Sequence, residues 1–320
     1  MGEEAIAGVP LSEWESEKAD TRRKNEAKGM RRTTQLRVML SEPGIVFMPC
    51  CYDCLSAKLI EKAGFRLVGV TGAGICASML GVPDLGLLTM TEVLNQTRNI
   101  VRATDLPVIC DCDNGYGGPL NITRTVQEFE DAGVAGFWME DQVVPKRCGH
   151  FEGKEVIPRD EMVMKIRAAV HARKDPDLVI IARTDARAVL GLSEAISRAK
   201  EYAETGADVI FIEAPESVGD LKEMASSVPA PQMVNLVEGG KTPLLTVKEL
   251  EDLGFKIASF SGSLQKVAIR SMGAFLEDFR RTGDISRYLD QMVSLNDRSR
   301  ILGLDSFYGL EKSFFAPSRA

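Results

Sequence analysis

Acidic side chains lie at the ends of two short apolar runs in this sequence, where they could bind a metal ion. Asp111 and Asp113 end the run that begins at Val108, and Glu140 follows the run that begins at Gly136. Asp111 and Asp113 share one face of a strand, because side chains alternate along a strand. Crowded carboxylates repel one another, and oxygen ligands suit Mg²⁺ or Mn²⁺. We predict a magnesium site with one direct acidic ligand and others acting through water; the alternative is a polar network that caps the fold.

The segment after Glu140 contains a cysteine among basic residues. It reads Lys146-Arg147-Cys148-Gly149-His150. Neighbouring cations lower the pKa of a thiol, so Cys148 is predicted to give or take a proton near neutrality. Gly149 and Gly153 would allow the segment to move as a lid. The other cysteines lie in apolar runs or in a cluster at 50–54 without the partners of a zinc site, and we interpret them as structural.

Polar residues also end the remaining apolar runs. Arg183 ends the fifth run, and its guanidinium can bind a carboxylate through two parallel hydrogen bonds. An ion pair of Arg183 with Glu140 or Glu213 is the other interpretation, and the two roles are compatible. The carboxyl ends of barrel strands open onto one face, so these residues should meet there. The further residues at such ends are Thr71, Gly72, Glu213, Asn235, Glu238 and Ser261.

Eight apolar runs alternate with helical segments, which predicts an α/β fold of the TIM (β/α)8 barrel type. Near-continuous apolar strands separated by helices are typical of a buried parallel sheet. Eight such units match the size of one TIM barrel. A doubly wound sheet would need a glycine fingerprint after its first strand, and the sequence lacks one. The runs occupy residues 45–48, 67–70, 108–112, 136–139, 179–182, 209–212, 233–236 and 257–260.

The barrel is predicted to be a single catalytic domain with an extension at each end. We predict an N-terminal helical arm over 1–42, a barrel over 43–282 and a C-terminal helical extension over 283–320. The charged stretch 12–37 is interpreted as an exposed arm or helix, and the basic stretch 31–40 as a solvated helix face.

The composition excludes several classes of function. The 320 residues carry 39 Lys and Arg against 46 Asp and Glu, a net charge of −7, which argues against a nucleic-acid or membrane-surface binder. No apolar run is long enough to span a bilayer, and the first residues do not resemble a secretory signal. Two histidines are too few for a zinc site built on several of them. Seven dispersed cysteines suggest a reducing compartment, so we predict a cytoplasmic protein.

Six segments resemble the isocitrate lyase/phosphoenolpyruvate mutase superfamily. The resemblance implies a TIM-like barrel whose C-terminal helices exchange between subunits in a homotetramer, a dimer of dimers. It also implies a small carboxylate substrate, a 2-hydroxy or 2-oxo di- or tricarboxylate. The segments are VTGAGICASMLGVPDLGL (70–87), CDCDNGYGGPLN (110–121), MEDQVVPKRCGH (139–150), IARTDA (181–186), EAPES (213–217) and NLVEGGKTP (235–243).

The resemblance assigns roles to particular residues. Carbon–carbon lyases of the superfamily carry the cysteine segment, which its mutases generally lack, so Cys148 would protonate an enolate. Arg183, Lys146, Arg147 and His150 would assist, and Tyr52 or Glu213 would be the base. The substrate would be bound by Thr71, Gly72, Ala73, Gly149, Asn235 and Ser261, and Mg²⁺ would be surrounded by Asp84, Asp111, Asp113 and Glu140, with Asp111 the direct ligand.

The implied reaction is a retro-aldol cleavage of the 2,3-dimethylmalate or 2-methylisocitrate type. The segments at 117–121 and 237–243 are similar to the branch containing 2,3-dimethylmalate lyase, petal death protein and oxaloacetate hydrolase. Ser261 occupies a position where oxaloacetate hydrolases carry a serine, so hydrolysis of oxaloacetate to oxalate and acetate is the alternative function. A phosphonate mutase, which has no use for the Cys148 segment, and a non-catalytic barrel are the less favoured interpretations.

Overall fold

Eight parallel strands close into a barrel in this computed structural model, which describes residues 29–315. Each strand pairs with the next one along the chain, and the last pairs with the first. Every predicted apolar run overlaps one strand, so the predicted barrel is confirmed. The strands are β1 (Val46–Cys51), β2 (Val68–Val70), β3 (Val108–Asp111), β4 (Gly136–Glu140), β5 (Val179–Thr184), β6 (Val209–Ile212), β7 (Gln232–Asn235) and β8 (Ile257–Phe260).

Helices surround the barrel and connect its strands. The helices at 90–103, 159–172 and 247–253 lie between consecutive apolar runs, as the alternation predicted. Two of these three begin at a threonine whose hydroxyl caps the helix and whose backbone is capped in return by a glutamate. The helices are α1 (Arg32–Ser41), α2 (Cys54–Lys62), α3 (Gly72–Ile75), α4 (Met90–Ala103), α5 (Pro119–Asp131), α6 (Arg159–Ala172), α7 (Ala186–Leu190), α8 (Leu192–Glu204), α9 (Val218–Ser227), α10 (Val247–Leu253), α11 (Ser263–Thr282), α12 (Leu295–Ile301) and α13 (Leu304–Phe315), with a π-helical turn at Cys76–Leu80 and a 3₁₀ turn at Ser286–Gln291.

Helix α1 packs on the barrel, which differs from the exposed arm predicted for this stretch. Leu36 is fully buried in the apolar cluster that fills the barrel interior. Arg37 donates to the carbonyl of Leu178 at 3.1 Å and pairs with Asp208 at 2.7 Å, just before β5 and β6. The buried leucine and the loop carbonyls are tertiary partners that the local charge pattern does not reveal. The rest of the predicted arm, residues 1–28, lies outside the described residues.

The C-terminal helices α11 to α13 contain no buried residue in the single chain. They instead expose large apolar side chains, which a lone protein rarely leaves in contact with water. The predicted exchange of these helices between subunits stays a prediction. No helix in residues 29–315 is both long and apolar enough to cross a membrane. The most exposed of the apolar side chains are Val267, Leu295, Phe307, Phe314 and Phe315.

Candidate active site

A cavity of about 370 Å³ opens at the carboxyl ends of the strands, where the sequence predicted the site. Three large side chains from the barrel interior, Trp138, Phe211 and Met233, contribute to its wall. Sequence reasoning missed this apolar part, although Trp138 lies two positions before Glu140 on β4 and so shares its face. The predicted site residues that line the cavity are Thr71, Ala73, Asp84, Asp111, Cys148, Gly149, His150, Arg183, Glu213, Asn235 and Ser261.

The other predicted residues divide into two groups. Gly72, Asp113, Glu140 and Lys146 do not line the cavity but contact residues that do. Tyr52 and Arg147 lie outside it. Arg147 is exposed, and its guanidinium donates to the carbonyl of Glu152 at 3.2 Å, so it does not reach the cavity as predicted.

A buried ammonium group lies among the predicted metal-binding acids. Lys146 is 5% exposed, and its Nζ lies 2.5 Å from Asp84 Oδ1 and 2.7 Å from Asp113 Oδ1. Asp111 accepts hydrogen bonds from the backbone N–H groups of Gly72 at 3.3 Å and Asp113 at 3.0 Å. Lys146 therefore offsets part of the negative charge instead of acting on the thiol next to it in sequence.

The acids still carry more negative charge than their protein partners offset. Burial raises the pKa of Asp111 and of Glu140, and it raises the pKa of Asp113 to about 6 even with Lys146 beside it. The Glu140 Oε1 atom is buried without a hydrogen-bond partner among the described residues. A divalent cation nearby would favour the charged forms of these carboxylates.

The acids at the cavity could hold a divalent cation through one or two carboxylates. Among residues 29–315, no three Asp, Glu, His or Cys side chains form a group that could hold an ion. The predicted set of four acids is therefore not a preformed cage, and Lys146 lies between two of its members. Mg²⁺ is often bound by only one or two carboxylates plus waters, and Asp111 and Asp84 are the two of these four predicted acids that line the cavity.

The raised pKa of Asp113 predicts a pH-dependent effect of the substitution Asp113→Asn. Between its ordinary value of 3.8 and about 6, the folded chain binds more protons here than the unfolded chain, so this carboxyl destabilises the fold increasingly as pH rises. Asparagine loses the charge and tolerates the left-handed backbone, φ 46°, at this position. We expect the stability of Asp113→Asn relative to the unsubstituted protein to rise by on the order of 2 kcal/mol from pH 4 to pH 7.

Urea denaturation of the metal-free protein at the two pH values measures this difference. Asp105→Asn is the matched control, because the Asp105 side chain is fully exposed. Equal pH dependence in the Asp113→Asn variant and in the unsubstituted protein would contradict the assignment.

Arg183 is the central cation of the cavity. It forms a bidentate pair with Asp185, with distances of 3.0 Å from Nε and 3.1 Å from Nη2, and its Nη1 faces Glu140 at 3.2 Å and Glu213 at 3.4 Å. The guanidinium also lies 5.2 Å from the ring centre of Phe211, within cation–π distance. The structure thus confirms the ion pairs considered from the sequence, while Arg183 still faces the cavity.

Neither predicted base is well suited to accept a proton. Burial opposes ionisation of Glu213, but Arg183 and then His150 hold its pKa low, at about 2. A carboxylate with so low a pKa is a weak base and accepts a proton poorly. Tyr52 lies outside the cavity, and burial raises its pKa. The raised pKa values of Asp113 and Glu140 make those carboxylates the stronger bases.

The Cys148 thiol has a raised pKa, so the predicted lowering is wrong. Burial is the main cause, and the carboxylates of Asp84 and Glu213 add to it, against a backbone hydrogen bond at His150 and the charge of Arg183. The cations next to Cys148 in sequence point elsewhere: Lys146 to the acids, Arg147 to solvent. The thiol therefore stays protonated near neutral pH, which suits a proton donor.

The segment bearing Cys148 is closed over the cavity. We name residues 142–156 the cysteine loop, because a bridge between Gln142 and Val156 joins its ends. His150 lies 3.2 Å from Glu213 through Nε2 and accepts a hydrogen bond from the backbone of Lys241 at Nδ1, 3.1 Å. A Cβ on Gly149 would lie 2.5 Å from Arg183 Nη2, so only glycine allows this approach. The predicted mobile lid is thus placed directly against the site.

Comparison with known proteins identifies the family of this chain. A family model described as phosphoenolpyruvate phosphomutase matches residues 36–280, nearly the whole barrel. The chain belongs to the isocitrate lyase/phosphoenolpyruvate mutase superfamily. The resemblance read from its six segments is confirmed.

Relatives in this superfamily are named as lyases. The chain is 42% identical over 285 residues to 2,3-dimethylmalate lyase of Eubacterium barkeri, covering 89% of this chain and 99% of the relative. It is 43% identical over 287 residues to a probable 2-methylisocitrate lyase of Corynebacterium glutamicum, covering 90% and 93%. These relatives confirm the prediction of an enzyme of the carbon–carbon lyase type.

Solved structures of the superfamily share the fold. Oxaloacetate acetylhydrolase in complex with 3,3-difluorooxalacetate superposes with a TM-score of 0.85 at 34% identity, covering 90% of this chain and 98% of that one. A phosphonopyruvate hydrolase complex with oxalate and Mg²⁺ gives a TM-score of 0.82 at 29% identity, covering 89% and 100%.

Proposed function

We propose that this enzyme is a magnesium-dependent lyase that cleaves the C2–C3 bond of a 2-hydroxy dicarboxylate of the 2,3-dimethylmalate type. The observation that supports it most is the meeting of a protonated thiol, Cys148, with the Arg183 guanidinium and buried acids around one cavity. A malate-type substrate has a carboxylate for the guanidinium and a carbon that needs a proton after cleavage. A 2-methylisocitrate-type tricarboxylate is the other substrate of the same reaction class.

The metal is part of this proposal. Asp111 and Asp84 would hold Mg²⁺ at the cavity, with Asp113 and Glu140 acting through water. When bound, the ion would polarise the oxygen on C2 of the substrate and so favour loss of its hydroxyl proton. The Mg²⁺–oxalate complex of a related hydrolase supports this choice of metal.

The side chains of this chain then divide the reaction among them. Arg183 binds and orients the substrate carboxylate. Ala73 also lines the cavity, whereas the N–H of Gly72 is already donated to Asp111. One of the stronger buried bases, Asp113 or Glu140, takes the hydroxyl proton. The O–H electron pair forms the C2 carbonyl, and the electron pair of the C2–C3 bond remains on C3 as an enolate of the departing acid. The Cys148 thiol gives its proton to C3, and the closed cysteine loop excludes water during the step.

A panel of substrates tests this function. With Mg²⁺, we expect 2,3-dimethylmalate to give pyruvate and propionate, and excess EDTA to abolish the reaction. The assay compares 2,3-dimethylmalate, 2-methylisocitrate, isocitrate and oxaloacetate, with products identified by mass spectrometry. Turnover of oxaloacetate alone, with release of oxalate and acetate, would overturn the proposal in favour of the second candidate.

That second candidate is oxaloacetate hydrolysis. Ser261 lines the cavity, and the chain is similar in structure to oxaloacetate acetylhydrolase. We rank it below the lyase because residues 262–265, directly after Ser261, depart from the sequence usual in oxaloacetate hydrolases, and because the segment around Glu238 fits the lyases better. A phosphonate mutase is disfavoured because it would have no use for Cys148. A non-catalytic barrel is disfavoured because it would not need the buried acids and Arg183 at its strand ends.

The assembly and location of the enzyme are also proposals. Exposed apolar side chains on α11 to α13 support a homotetramer in which these helices pack on a second copy, since such a surface is poorly stable in water. All seven cysteines are free, which supports a cytoplasmic, reducing environment.

A further inference from the structure

We propose that Lys154 is a positioning residue that holds the cysteine loop closed and, through Asp185, keeps the Arg183 guanidinium aimed at the cavity. Lys154 touches neither the cavity nor the reacting atoms. It would act by joining two groups: the carbonyl of Gly149 on the loop and the carboxylate of Asp185 at the end of β5. The proposal rests on the lyase function above and assigns a role to a residue that does not line the cavity.

The Lys154 ammonium group is almost completely buried. Its side chain is 2% exposed, its Nζ lies 3.3 Å from Asp185 Oδ1, and it donates to the carbonyl of Gly149. Taking an ammonium group out of water is costly, so a buried lysine needs a close carboxylate and further acceptors. Among the described residues, these two acceptors come from different parts of the chain. The ammonium therefore favours the arrangement in which both parts approach it together.

The Asp185 carboxylate is shared between the two cations. Both of its oxygens accept from Arg183 in the bidentate pair, and Oδ1 is also the atom nearest Lys154. The backbone N–H of Asp185 donates to Asp141 Oδ1 at 2.9 Å, which fixes the carboxylate relative to β4. With Nε and Nη2 engaged by Asp185, the Nη1 side of the guanidinium is left for the cavity acids. Asp185 thus determines which edge of Arg183 faces the site.

The Gly149 contact connects the same cluster to the reactive thiol. Gly149 follows Cys148 directly, and its backbone lies so close to Arg183 that no larger residue fits. A loop held at Gly149 therefore places the thiol and the guanidinium at a fixed separation. Lys154 lies five residues after Gly149 in the same loop. Its ammonium group therefore connects two positions of the loop and also binds the loop to the end of β5.

The test is the substitution Lys154→Met, which keeps the apolar stem and removes the charge. Alkylation of Cys148 by iodoacetamide, followed by mass spectrometry of the modified peptide, reports loop opening and requires no substrate. We expect Cys148 to be alkylated about tenfold faster in the variant, because a buried pair has been broken and local opening is easier. We also expect kcat to fall about 100-fold with a smaller change in KM, as misplacement of catalytic groups produces.

Lys248→Met is the matched control. Lys248 forms an ion pair with Asp252 on α10 at 2.7 Å, both side chains are exposed, and such surface pairs contribute little. Its alkylation rate and kcat should stay within about twofold of those of the unsubstituted enzyme. Lys154→Arg, which keeps the charge, should restore much of the slow alkylation.

The outcomes separate positioning from a merely structural role. If Lys154→Met is folded by circular dichroism and its Cys148 is alkylated at the original rate, the proposal is wrong. If that variant does not fold, Lys154→Gln, which loses the charge that pairs with Asp185, is measured by the same criterion. Failure of the whole substrate panel would count against the lyase function, whereas the alkylation rates would still decide the role of Lys154.

Discussion

Replacing Cys148 by alanine should lower kcat about 1,000-fold and leave ligand binding nearly unchanged. A positioned general acid contributes roughly 100- to 10,000-fold to a rate, and Cys148 is the only thiol that lines the cavity among residues 29–315. Alanine removes the proton without adding bulk. Because the thiol is proposed to act only after the bond has broken, oxalate should bind with a similar Kd, measured by calorimetry in the presence of Mg²⁺.

Cys54→Ala is the matched control, since Cys54 is also half-buried but lies on α2, outside the cavity. It should keep the kcat of the unsubstituted enzyme. The raised pKa of Cys148 adds a pH criterion: the thiol donates a proton only below its pKa, so kcat should fall only at a pH above 9.0, the ordinary value for cysteine. Full cleavage activity in Cys148→Ala would remove the thiol from the mechanism.

Arg183→Lys should lower kcat/KM by about 100- to 1,000-fold, the usual cost of losing one positioned donor at a developing negative charge. Lysine keeps the charge but cannot bind Asp185 in a bidentate manner while facing Glu140 and Glu213. The loss should appear in both kcat and KM, because Arg183 is proposed to bind the substrate carboxylate as well as the enolate. Steady-state kinetics with saturating Mg²⁺ measures it.

The same substitution should make the protein less stable at neutral pH, and this difference in stability should shrink in acid. With Arg183 present, the pKa of Glu213 is about 2 instead of 4.5, so this carboxylate stabilises the fold above pH 4.5 and loses its contribution as pH falls towards 2. A weaker cation should reduce that contribution and lower Tm at pH 7. Arg187→Lys, whose partners Asp220 and Glu216 lie away from the cavity, is the control. Unchanged kcat/KM and Tm in Arg183→Lys would show that the charge alone is sufficient.

The residues at the strand ends show which features of the site a local sequence pattern can predict. The eight strands were predictable because a buried parallel strand must be apolar along its length, and Asp111, Arg183 and Glu213 were predictable because parallel strands end at one rim. The position of Arg147 was not, since adjacency in sequence does not tell which way a loop side chain turns. The burial of Leu36 in α1 was hidden in the same way, because it depends on a barrel opening formed by distant segments.

The sequence by itself determined the barrel, the superfamily, the acidic strand ends and which cysteine lines the cavity, because these depend on periodicity and on short contiguous segments. Only the tertiary structure decided the protonation of that cysteine. Burial and the carboxylates of Asp84 and Glu213 outweigh the basic residues beside Cys148, since two of those cations point away from the thiol. The connection from Lys154 through Asp185 to Arg183 likewise exists only in three dimensions, because it requires a loop and a strand end to share one buried charge.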